Sequence, residues 1–154
     1  MTDGHDLAMA LRAAYLALHR RADARFARHG VTADQFVLLA TLASGDALTQ
    51  RDLARRTGSD PNTVRAMLLL LEARGLVARG RHPTDGRART AALTPAGRRA
   101  YRRLWRAGEP VRRRLLAALR PGEAATLRDL LARLTRALTP AAGSRPNPRL
   151  EGFP

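Results

Sequence analysis

The chain contains no cysteine, no lysine and no isoleucine. Without cysteine there is no disulfide framework, no thiolate metal site and no thiol redox sensor, a pattern consistent with the cytosol. No apolar run approaches the roughly 20 residues that a membrane-spanning helix needs. The N-terminal stretch MTDGHDLAMALRAAY is mildly acidic and lacks the basic-then-apolar layout of a signal peptide. A soluble, untargeted, cytoplasmic protein is expected, with no membrane partner. Signatures of catalysis are missing as well. His5, His19, His29 and His82 are scattered and none sits in an HExxH spacing. No glycine-rich phosphate loop follows a strand and no nucleophile elbow is present. An enzyme is not expected, nor a metal site, nor a cofactor.

What the chain has in excess is arginine. All 28 basic residues are Arg, against 13 acidic ones, for a formal charge of +15. Arginine and alanine enrichment without lysine or isoleucine points to a codon-composition bias, so part of the basicity is background. The remainder favours a polyanionic partner, with nucleic acid first; the competing reading is a solvated basic surface. At 154 residues the chain suits one compact domain with a core that needs no staples.

Apolar spacing and caps place the elements. Leu7, Leu11, Ala14, Leu18, Ala22 and Phe26 form one helical stripe between Asp6 and His29, stopped by Gly30. Thr32 and Gln35 form a capping box, with Val31 and Phe36 placed as a hydrophobic staple. The helix they open is apolar nearly all round and is expected to be buried. Thr49 opens a short helix ending at Thr57-Gly58, and Asp60-Pro61 opens another running to Arg74. Two helices joined by a short glycine-containing turn are a helix-turn-helix. Leu76 to Arg81 and Arg87 to Leu93 read as strands around a Thr84-Asp85-Gly86 turn, a projecting wing. Thr94-Pro95 caps a long helix to about Arg120, with a kink at Gly108-Glu109-Pro110. A last helix from Pro121-Gly122-Glu123 carries Leu127, Leu130, Leu131, Leu134 and Leu138, close to a coiled-coil seam. Residues 139–154 read as a disordered tail.

The second helix of the pair should lead into the major groove with its N-terminal residues. Val64, Met67, Leu68 and Leu71 share the core face, which leaves Asn62, Thr63, Arg65 and Ala66 toward DNA. Asparagine pairs bidentately with adenine, arginine with guanine, and a methyl of Thr or Ala can touch thymine. The competing role for Asn62 and Thr63 is to satisfy the first helical turn. Four consecutive leucines cannot all face one core, so Leu69 or Leu70 is expected to pack against the wing or the long helix, with an effector pocket as the alternative. Arg87 at the wing tip suits the electronegative minor groove. Arg79, Arg81 and Arg89 suit phosphates, and a solvated strand arginine is the alternative for each. Asp85 is expected to shape the turn. The nine arginines between Thr94 and Arg120 read as a solvated helix face.

Three segments carry a resemblance: LTQRDLARRTG, LEARGLVAR and, above all, HPTDGRARTAALTPAG. The last holds Asp85, Arg87 and, after five intervening residues, Leu93-Thr94. In these the sequence resembles the MarR family of bacterial transcriptional regulators, over roughly residues 6–138, nearly the whole chain. The resemblance implies a mainly helical fold with a β-hairpin wing. A winged helix-turn-helix lobe over about residues 32–94 would be held by dimerisation helices over 6–29 and 95–138. It further implies an obligate homodimer reading a pseudo-palindromic operator in double-stranded DNA. The protein would act as a repressor, often autoregulatory, released by a small aromatic or phenolic ligand. The family pocket lies between the dimerisation helices and the DNA-binding lobe, which here brings in Tyr15, His19 and Trp105. Two departures bear on the operator: Arg65-Ala66 and Leu69-Leu70 stand where many members have Thr-Arg and Asp-Arg. The lack of cysteine speaks against the peroxide-sensing branch, and the scattered histidines against the metal-sensing one. Rival readings are an activator or ligand-independent regulator of the same fold, or an architectural protein that coats DNA by charge alone.

Overall fold

A computed structural model describes residues 3–140. The chain divides into two compact units, one ending at Arg113 and the other beginning at Arg114.

Helix α1 (Gly4–Phe26) starts earlier than the apolar stripe, because the Asp3 carboxylate accepts from the backbone N–H of Asp6 at 2.8 Å. A 3₁₀ turn (Ala27–His29) follows and ends at Gly30, whose φ of 68° is the left-handed conformation glycine tolerates. Helix α2 (Ala33–Leu42) has both halves of the anticipated capping box, each at 3.1 Å. Leu38, Leu39 and Leu42 are buried, but Val37 is not: it is 43% exposed, which corrects the expectation of a helix buried all round.

Strand β1 (Leu48–Thr49) was not anticipated. Two residues carry no periodicity, and its partner lies far along the chain: Leu48 pairs with Ala91 and Thr49 with Thr90. Helices α3 (Gln50–Thr57) and α4 (Pro61–Ala73) follow, capped by Thr49 and Asp60. Strands β2 (Val77–Arg81) and β3 (Arg89–Leu93) pair antiparallel from Val77↔Leu93 to Arg81↔Arg89, giving the sheet order β1-β3-β2. The loop between them, from His82 to Ala88, is longer than the turn anticipated. The Nδ1 atom of His82 accepts from the backbone N–H groups of Thr84 and Asp85, at 3.2 and 3.1 Å. The Asp85 carboxylate accepts from the N–H of Arg87 at 3.1 Å. These local side-chain bonds take the place of ladder bonds, so Arg87 sits in the loop rather than in a strand.

Helices α5 (Pro95–Ala107) and α6 (Glu109–Ala117) break at Gly108, where a kink was expected. The N-terminus of α5 is locked onto the end of α4. The Thr94 hydroxyl donates to the Gly75 carbonyl at 2.6 Å and accepts from the Gly97 N–H at 3.0 Å. A Cβ at Gly97 would stand 1.9 Å from the Leu76 carbonyl oxygen, so only glycine fits there.

The core gathers Leu38, Leu39, Leu42, Leu53, Val64, Leu68, Leu71 and Leu104 from α2, α3, α4 and α5. Within the run of four leucines only Leu68 and Leu71 reach it. Leu69 is 46% and Leu70 58% exposed, so neither is covered by the wing or the long helix, contrary to the expectation for one of them. At about 100° per residue, the two lie well off the face set by Val64, Leu68 and Leu71. In the second unit, helix α7 (Glu123–Leu138) leaves Leu127, Leu130, Leu131 and Leu138 exposed. The tail expected from residue 139 onward lies, beyond Pro140, outside the described residues.

Candidate DNA-reading surface and effector cavity

Two sites stand out, both in the first unit. The first is built on α4. The carboxylate of Asp60 accepts from the N–H groups of Asn62 and Thr63, at 3.0 and 3.1 Å, and fixes the start of the helix. The Gln50 side-chain amide donates to the Pro61 carbonyl at 3.3 Å, tying the start of α3 to the start of α4. With Val64, Leu68 and Leu71 buried, Asn62, Thr63, Arg65 and Ala66 are all exposed.

Arg65 lies on the flank of α4 nearest the sheet. There it shares a hollow with Gln50, Glu72, Arg79 and Arg89. Arg79 stands 3.9 Å from the Glu72 carboxylate with only 18% of its side chain exposed, so it is drawn back against α4. Arg81, Arg87 and Arg89 are exposed along the wing. Asp85 shapes the loop, as its position suggested. Sequence reasoning missed Gln50 and Glu72. Glu72 was recoverable, because it stands seven residues after Arg65 on the same side of the helix. Gln50 was not, since only tertiary folding brings it there.

The second site is a cavity of about 540 Å³, within the range of small-molecule sites. Its walls include Tyr15 and His19 from α1, Phe36 and Val37 from α2, and Trp105 and Arg112 from α5 and α6. The turn between α3 and α4, Thr57 to Ser59, also lines it. Aromatic residues are scarce in this chain, yet they collect here. Phe26 stacks on Phe36 at 4.4 Å, and Tyr101 lies 6.0 Å from Phe36 and 6.1 Å from Trp105.

The polar groups of the cavity stand on two sides. His19 bridges two carboxylates, with Nδ1 3.5 Å from Asp23 and Nε2 3.4 Å from Asp34. Its ring lies 5.5 Å from that of Tyr15. Opposite in charge, the Arg112 guanidinium stacks 3.8 Å above the Trp105 ring. It also donates to the Trp105 carbonyl at 2.6 Å and to the Glu109 carboxylate at 2.7 Å. The three expected residues Tyr15, His19 and Trp105 therefore line one cavity. Phe36, Asp34 and Arg112 were missed. Arg112 follows Trp105 by seven residues but across the break at Gly108, which hides the relation from periodicity.

A family model described as MarR family matches residues 29–88, from the end of the 3₁₀ turn through the wing loop. HTH-type transcriptional repressor Mb2911 of Mycobacterium bovis is 30% identical over 105 residues, 68% of this chain and 76% of that protein. The chain belongs to the MarR family. This MarR-family transcriptional regulator is also 31% identical to YdgJ, an HTH-type transcriptional regulator of Bacillus subtilis, over 68% of its own length. The match spans only 64% of YdgJ. Among solved structures, Bordetella bronchiseptica BpsR, whose DNA binding is regulated by 6-hydroxynicotinic acid, aligns with a TM-score of 0.71 and 30% identity. That alignment covers 84% of this chain and 98% of BpsR. Among the described residues, no helix is long and apolar enough to cross a membrane.

Proposed function

We propose that this MarR-family regulator is a cytoplasmic homodimeric repressor that reads a pseudo-palindromic operator and is released by a small aromatic or phenolic molecule. Residues 32–94 serve as the DNA-binding lobe, and residues 6–29 and 95–138 supply the dimerisation helices. Asn62, Thr63, Arg65 and Ala66 meet the major groove; Arg87 enters the minor groove; Arg81 and Arg89 meet phosphates, with Arg79 held in reserve by Glu72.

The observation that carries this reading is the composition of the cavity wall. A molecule between Tyr15, His19 and Trp105 also touches Thr57 to Ser59, the turn that sets the start of α4. An occupant that fits one placement of that turn better than another shifts the spacing of two α4 helices across a dimer. A difference of about 1–3 kcal/mol between the two states is enough for a useful response. The regulation of BpsR by 6-hydroxynicotinic acid supports a flat, polar-edged aromatic ligand. The exposed leucines of α1 and α7 support a dimer that covers them.

The test is fluorescence anisotropy on a duplex enriched from a random pool, with and without added aromatic acids. A ligand-released repressor should enrich a two-fold-related sequence and bind it more weakly in the presence of at least one such acid. Binding that ignores sequence would instead fit a charge-driven coating protein.

A further inference from the structure

We infer that Leu69, with Ala66 and Leu70 beside it, makes this regulator a reader of C5-methyl groups: it selects thymine in the operator by apolar contact. The inference rests on the reading that α4 lies in the major groove. Opposite the buried face of Val64, Leu68 and Leu71, the residues Asn62, Ala66 and Leu69 form one file at spacings of four and three. Leu70 lies on the adjoining line below Thr63. Beyond Asn62, Thr63 and the flanking Arg65, this face carries no hydrogen-bonding side chain as far as Leu70. It is nevertheless exposed, with Leu69 at 46% and Leu70 at 58%.

Charge decides what covers it. Arg65, Arg79 and Arg89 share a hollow along one side of the file, and the one carboxylate in it, Glu72, is paired with Arg79. An apolar strip with arginines along one side fits a polyanion that presents an apolar group. In the major groove that group is the C5-methyl of thymine. A leucine pressed on any other base edge would strip water from donors and acceptors and leave them unpaired. Leu69 stands about 10 Å along the helix from Asn62. At about 3.4 Å per base step, the methyl it reads lies about three steps from the base met by Asn62.

The experiment uses duplexes enriched from a random pool by the full-length protein, then remade with uracil replacing one thymine at a time. Uracil keeps the pairing and removes only the methyl. The expected result is about fourfold weaker binding at one or two positions per half-site, the worth of one buried methyl. Leu69→Ala should abolish that thymine-over-uracil difference at one of those positions while leaving the others unchanged. Cytosine placed there should bind poorly and 5-methylcytosine should recover part of the loss. Leu69 is exposed and alanine is a strong helix former, so the variant is expected to keep its fold, checked by circular dichroism. Indifference of the wild type to uracil would overturn the inference, as would a uracil effect that persists in both Leu69→Ala and Leu70→Ala. A change of assembly size in Leu69→Ala with an unaltered uracil effect would overturn it too, assigning the face to a protein interface instead. Failure to enrich any sequence would be a separate result, overturning the DNA-reading proposal and this inference with it.

Discussion

Gly97 is the residue at which the fold has least freedom. A single added methyl would collide with the Leu76 carbonyl, where Thr94 already joins α5 to the end of α4. Gly97→Ala should cost at least about 1–3 kcal/mol, as overpacking of a tight junction does, although alanine is the better helix former. Thermal denaturation checks this, and an unchanged or raised Tm would show that the junction yields. Asp52 makes a different prediction. The hydroxyl of Thr49 donates to its carboxylate and is the main reason its pKa falls below 3.8, with Arg55 and Arg56 adding to the effect. The stability this confers is fully present above 3.8 and is lost as pH falls through the lowered value. Asp52→Asn, which resembles the protonated acid, should therefore lower stability at neutral pH, match the wild type well below about pH 4, and so flatten the acid side of the stability profile; chemical denaturation across pH measures it. At this scale the sequence was partly readable. The caps at Thr32, Thr49, Asp60 and Thr94 announced themselves because a cap acts within three residues. Arg112 over Trp105 and Glu72 against Arg79 did not, because the first crosses a helix break and the second joins a helix to a strand.

Among the elements, α4 and the wing are the two to which the proposed function assigns DNA contact. Arg87 sits in an exposed loop braced by His82 and Asp85. Arg87→Ala should weaken operator binding and make its dependence on salt shallower, by about 0.9 in log–log slope for each phosphate charge that Arg87 neutralises. A titration series from low to high salt reads both, and an unchanged slope and affinity would remove Arg87 from the interface. The helix-turn-helix was visible in sequence because its caps and its turn are local. The wing was visible in outline only. The His82 ring, by capping two backbone N–H groups, widened the loop beyond a simple Asp-Gly turn, and β1 was too short for any periodicity to mark. The leucine run misled for a related reason. Helical period shows which residues cannot share a face, but not whether the remainder find cover.

At the scale of the molecule, the turn at Thr57 to Ser59 both lines the cavity and leads into α4. Trp105→Ala should open the aromatic wall and abolish release by an aromatic acid. DNA affinity should stay within about threefold, a change of under about 1 kcal/mol. If both fell together, Trp105 would be holding the fold rather than the ligand. Removing residues 139–154 should leave a dimer on sizing, because the exposed leucines of α7 end at Leu138; a monomer would place the interface in the tail. The family was legible in sequence because the wing motif and the helix-turn-helix occur together in order. Which side chains of α4 are left uncovered was not, since that depends on tertiary packing. Above all, this protein is held to read sequence and not merely to neutralise charge. Competition anisotropy at physiological salt, with an enriched duplex against a scrambled one of equal length and composition, tests that most directly. A sequence reader should prefer the enriched duplex by at least about a thousandfold; equal affinities for the two would contradict it.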